Sequence, residues 1–244
     1  MRRVGAQKKD AQLASSGGLC LVRWSLYPRP RVRYASQVIV RHDIADPSIA
    51  QLEVIEEYVS SLAQALEKLS RPQISEAVDV LFDCWQRGAC VYLVGNGGSA
   101  ATASHMMNDL IRGTWLEGLP SLRAIALTDN VPLMTAISND AQYDRIFSDL
   151  LAALLKPYDV LVAISTSGNS PNVVNAVAVA QRLGTRVIGL CGKKASHLST
   201  NADIVISIPA ELVGQQEDGH LVVNHAIALA LRQRMKRSAT RSDI

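Results

Sequence analysis

Two short stretches carry residue types that could do chemistry. Residues 95–99 read Gly-Asn-Gly-Gly-Ser, between an apolar run and an Ala-rich segment. A connecting loop needs one glycine or two; three around Asn96 let a ligand come close to the backbone. Gly97 and Gly98 permit that approach, and Ser99 with the first amides of the next helix offers donors. A helix start, with free N–H groups and the positive end of its dipole, favours an anion. The second stretch, Ser165-Thr166-Ser167-Gly168-Asn169-Ser170, gathers five small hydrogen-bonding side chains around one glycine, just before Pro171. Such a nest suits a phosphate held without a cation, whereas capping a helix needs only one of those hydroxyls. A third loop sets Asp129 and Asn130 after another apolar run, where they could hold hydroxyls of a polyol.

Nucleotide chemistry does not fit. Neither stretch matches G-x-x-x-x-G-K-[ST], the first is only a partial match to G-x-G-x-x-G, and both lack lysine. No nucleotide cofactor is expected. The titratable candidates are few. His105 and Asp109 lie four apart on the segment after the glycine-rich loop, so a helix puts them on one face. His220 and His225 lie on the last amphipathic segment, and for His220 a hydrogen-bonded structural role is the simpler reading. Cys20, Cys84, Cys90 and Cys191 form no C-x-x-C pair; small buried thiols in a reducing cytoplasm are expected.

The pattern around these residues defines the elements. Apolar residues from Ile49 to Leu69 recur at three- and four-residue steps, which predicts an amphipathic helix ended by Arg71-Pro72. A second helix follows, stopped by Gly88. Continuous runs of Val, Ile and Leu then appear at 90–94, 122–127, 159–164, 186–190 and 203–208, separated by helical segments at 99–112, 131–153 (broken), 170–183 and 195–201. A last helix is expected over about 216 to 236. Uninterrupted apolar strands mean burial on both faces, hence a parallel sheet covered on both sides. The expectation is an α/β, doubly wound, five-stranded parallel sheet preceded by two helices, with ligands beyond the carboxyl ends of the strands. The expected boundaries are a helical hairpin over 46–88 and an α/β core over 89–238, one domain in all.

The net charge of +3 misleads about partners. Residues 1–41 hold nine Arg or Lys against one acid, a local +8, which leaves the remainder at −5. No nucleic-acid binding is expected of the folded part. Residues 1–45 read as a basic, disordered extension; the composition also resembles a transit peptide, and a partner-binding arm is a third reading. No apolar run is long enough for a membrane.

The paired motifs Gly95-Asn96-Gly97-Gly98-Ser99-Ala100 and Ser165-Thr166-Ser167-Gly168-Asn169-Ser170 resemble those of the sugar isomerase (SIS) domain, in particular of the phosphoheptose isomerases. Residues 136–140, Ala-Ile-Ser-Asn-Asp, are similar to a further motif of that family. The resemblance runs over roughly 50–236. It implies a flavodoxin-like sheet and isomerisation of sedoheptulose 7-phosphate to the heptose 7-phosphate through a cis-enediol. Asp109 is then the general base and His225 its acid/base partner. Asn96, Gly97, Gly98, Ser99, Asp129, Asn130, Ser165, Thr166, Ser167, Ser170 and Gln216 are the substrate-binding set. The resemblance also implies a zinc site of His105, Asp109, Glu217 and His225, and a homotetramer whose subunits complete one another's sites. Two departures stand out. The family acid is Glu where this chain has Asp109, shorter by roughly 1.3 Å, and a 1 Å misplacement of a catalytic group can cost about 10²-fold. Counting back from His220 puts Glu217 where the family has Gln, and Gln216 fits only with a shift of one. The alternatives are an isomerase of another phosphosugar and a non-catalytic phosphosugar-binding regulator; retention of Asp109 and His225 favours an enzyme.

Overall fold

The computed structural model describes residues 47–242; the expectations for residues 1–45 lie outside them. Two helices lead, α1 (Pro47–Glu67) and α2 (Arg71–Gln86), then β1 (Cys90–Val94), α3 (Gly98–Asn108), β2 (Arg123–Ala126), α4 (Val131–Asp140), α5 (Ser148–Leu154), β3 (Val160–Ser165), α6 (Pro171–Arg182), β4 (Arg186–Cys191), α7 (His197–Asn201), β5 (Ile204–Ser207) and α8 (Val213–Ser242). The sheet is wholly parallel in the order β2-β1-β3-β4-β5, with Val91 facing Val160 and Val160 facing Arg186 across neighbouring strands.

β1 and β3 are buried along their whole length because helices lie on both faces, while the edge strands β2 and β5 alternate in exposure. One face packs Leu81, Met106, Val223 and Ile227 from α2, α3 and α8; the other packs Leu151, Val173 and Leu198 from α5, α6 and α7. Chain direction therefore switches sides between β1, which feeds α3, and β3, which feeds α6. In doubly wound sheets such a switch point, beyond the carboxyl ends of the strands, is where ligands commonly bind.

Several boundaries differ from the sequence reading. Arg71-Pro72 opens α2 instead of closing α1, since a proline costs little in a first turn, where its missing N–H has no partner to lose. Gly88 at φ +62 closes α2 as expected. The segment 131–153 breaks into α4, a 3-10 turn (Tyr143–Arg145) and α5. α3 leads into a π-helical turn (Asp109–Gly113), and α8 extends beyond the expected range at both ends. The stripe on α1 forms, but Ile49, Leu52, Ile55 and Val59 stay 49% to 60% exposed.

Candidate active site

The glycine-rich loop leaves β1 and the serine-rich loop leaves β3, so parallel pairing of β1 with β3 sets the two side by side. An amide clasp joins them. Asn96 Nδ2 donates to Asn172 Oδ1 at 2.8 Å, and Asn172 Nδ2 donates back to Asn96 Oδ1 at 2.8 Å. Tyr143 Oη also donates to Asn96 Oδ1, at 3.0 Å. Asn172 is fully buried at the start of α6 and was not singled out from sequence, because the pairing spans 76 residues.

In the serine-rich loop Ser165 Oγ lies 3.4 Å from both Ser167 Oγ and Ser170 Oγ and accepts from the Gly168 amide at 3.1 Å. Thr166 contributes its carbonyl to the Gly192 amide. Gly168 has φ +62, and a Cβ there would fall inside the Ser196 side chain, so only glycine fits. The hydroxyls of Ser165, Ser167 and Ser170 thus converge on one spot beside the first turn of α6.

Gly97 (φ +55) caps α3, and Gly98 and Ser99 form its first turn. The helix start is not open, however. A Cβ on Gly98 would land on the Glu217 carboxylate, so this acid of α8 already lies against the positive end of α3. Burial, and secondarily the neighbouring Asp218, push the Glu217 carboxyl above its ordinary value.

Gln216 and Glu217 part company because successive helix residues point about 100° apart. Gln216 turns inward and donates to the Ala210 carbonyl at 2.8 Å. Asp129 accepts a hydrogen bond from Ser104 of α3, and Asn130 caps α4 by accepting from the Leu133 amide at 3.2 Å.

At the far end of α3, three side chains come together. Asp109 Oδ2 lies 3.3 Å from His105 Nε2 and 3.5 Å from His225 Nε2, and the two imidazole nitrogens are 3.1 Å apart. Four-residue spacing stacks His105 over Asp109, and packing of α8 on α3 brings His225 across. A fourth residue, Asn224, donates from Nδ2 to Asp109 Oδ2 at 2.8 Å. The sequence signal for it was a polar residue within the buried α8 stripe of Val223, Ile227 and Leu231. The three ligand atoms lie within 4.8 Å of one another, and their spacings match the edge of about 3.3 Å expected when a tetrahedral zinc binds at 2.0–2.1 Å. The Asp109–His pair is thus compatible with a metal; Glu217, two helical turns from His225, is not among these three. A cleft of about 700 Å³ between Trp85, Leu116 and Lys236 carries no such cluster.

His220 is not part of the cluster. It is wholly buried, with Nε2 3.2 Å from the Cys191 carbonyl, and burial pushes its pKa down to about 4. The unfolded chain, with an ordinary imidazole, binds this proton between about pH 6.5 and 4 while the folded chain does not. Stability is therefore full above that window and falls as pH drops through it, by at most about 3 kcal/mol. Denaturant melts across pH 4 to 7 should show this slope, and His220→Leu should remove most of it.

The SIS domain profile matches residues 56–192. The chain belongs to the SIS domain family. Its relatives there are phosphoheptose isomerases: the one from Geotalea daltonii is 36% identical over 189 residues, 75% of this chain and 97% of that one. The solved phosphoheptose isomerase of Francisella tularensis superposes with a TM-score of 0.71 at 29% identity, covering 77% of this chain and all of that one. That of Neisseria gonorrhoeae gives 0.69 at 30%, covering 75% and 99%.

Proposed function

We propose that the chain is an aldose–ketose isomerase acting on sedoheptulose 7-phosphate. The observation that carries this reading is one carboxylate, Asp109, flanked by two imidazoles, in a fold that also offers a cation-free hydroxyl nest. Family membership and the similarity to phosphoheptose isomerases support it. Asp109 takes a proton from C1 of the ketose, the electron pair forms the C1–C2 double bond, and His225 protonates O2. The O1 proton then leaves to His225 while Asp109 returns its proton to C2, so atoms and electrons balance with no added reagent. Ser165, Ser167 and Ser170 hold the phosphate and Asp129 faces a sugar hydroxyl, while Asn96 ties the two loops together and Glu217 covers the start of α3, where Ser99 is buried. Zinc, held by His105, Asp109 and His225, would supply Lewis acidity toward the sugar oxygens.

Neighbouring subunits of a homo-oligomer complete one another's sites. The half-exposed His105 and His225 and the unburied stripe of α1 fit a homotetramer. The free buried thiols Cys84, Cys90 and Cys191 suit a reducing cytoplasm, and no helix of the described residues is long and apolar enough to cross a membrane.

The test is proton NMR of sedoheptulose 7-phosphate with purified protein, with and without zinc. Formation of the aldose 7-phosphate supports the reading. Saturable binding without turnover on this or other phosphosugars would point instead to a sensor.

A further inference from the structure

Asn224 is fully buried, yet only half of its amide is used. Nδ2 donates to Asp109 Oδ2 at 2.8 Å, while Oδ1 is buried with no partner. A buried orphan acceptor is costly, and an apolar side chain of the same size would fill the α8 stripe without it. The amide cannot reverse against an ionised Asp109, because that would set two acceptors face to face. What remains is the effect of the donor on the carboxylate.

We infer that Asn224 is a positioning residue that fixes which oxygen of Asp109 meets the substrate. Oδ2 is ringed by Asn224, His105 and His225 at 2.8, 3.3 and 3.5 Å. Oδ1 has only the exposed Asn108 amide beside it, at 3.4 Å. Asn224 pins the first oxygen and leaves the second to take the proton. Asp109 opens the π-helical turn, a rare geometry often found at functional sites, and Asn224 reaching across from α8 anchors its carboxylate. This assignment rests on the isomerase reading.

Two variants test it, Asn224→Leu, which fills the space without a donor, and Asn224→Asp, which keeps the shape but turns an acceptor toward Asp109. In Asn224→Leu, kcat should fall about 10- to 100-fold, as for a catalytic group displaced by about 1 Å, with KM changed less than about threefold. The melting temperature should hold or rise, because the orphan acceptor is gone. Asn224→Asp should lose at least as much turnover. A kcat for Asn224→Leu within about twofold of the parent overturns the assignment. If the parent chain turns over no heptose phosphate, it is the isomerase reading that fails. Crystal structures of parent and Asn224→Leu then decide the positioning: a shift of the Asp109 carboxylate beyond about 0.5 Å supports it, and a smaller one overturns it.

Discussion

Asp109→Asn should lower turnover of sedoheptulose 7-phosphate by about 10³-fold or more while leaving its binding within about threefold. The substitution keeps shape and removes the proton acceptor, and a positioned general base is worth about 10²- to 10⁴-fold. His105 and His225 remain, but their nitrogens gather at Asp109 Oδ2, away from Oδ1, and do not replace the lost base. NMR kinetics and calorimetric binding measure the two quantities separately. Turnover within tenfold of the parent would remove Asp109 from the base role. Shared sites allow a sharper readout. Asp109→Asn mixed with Ser165→Ala should regain turnover that neither variant has alone, because some sites then combine an intact nest with an intact base. Absence of recovery in verified mixed oligomers would place both ends of the site on one chain.

Gly168→Ala should destabilise the chain by about 3 kcal/mol and abolish phosphosugar binding. One part is conformational: an L-residue at φ +62 costs roughly 1–2 kcal/mol. The rest is steric, since the added methyl falls inside the Ser196 side chain and overpacking typically costs about 1–3 kcal/mol. For a chain of this size the melting temperature drops by about 6–12 °C. Function suffers independently, because the Gly168 amide donates to Ser165 Oγ and its carbonyl accepts from Leu198, so the nest loses its shape. Gly118→Ala is the control. Its φ is also positive, at +79, but nothing lies within 4 Å of the added methyl. It should cost only the conformational part and leave binding intact; equal losses in the two variants would rule out the steric account.

The interior strands were readable because burial on both faces removes alternation, and β1, β3 and β4 accordingly show unbroken apolar runs. The hydroxyl cluster of Ser165, Ser167 and Ser170 was readable because all its groups lie within six residues. Residues joined across the fold were not. Asn224 meets Asp109 from 115 positions away, and Asn96 meets Asn172 from 76, so no local period announces either pair. Gln216 and Glu217 differ by a rotation of one residue along α8: the sequence left their placement open, and in the fold Gln216 turns inward while Glu217 lies against Gly98. The stripe of α1 was legible as a helix face, but its exposure in the folded chain was not, because helix period does not reveal what packs on the stripe.

The clasp between Asn96 and Asn172 bears on the entropy of recognition. Loops that meet ligands commonly belong to the softest parts of a molecule. Here two such loops are tied to one another across the line where the helices change sides, and one end of the tie is a buried residue of the first turn of α6. Their ordering cost therefore belongs to folding rather than to the arrival of the sugar, which leaves more of each new contact as affinity. The same tie joins their fates: whatever loosens the first turn of α6 loosens both loops in one event, so the capacity to hold a phosphosugar should disappear as a unit and not loop by loop.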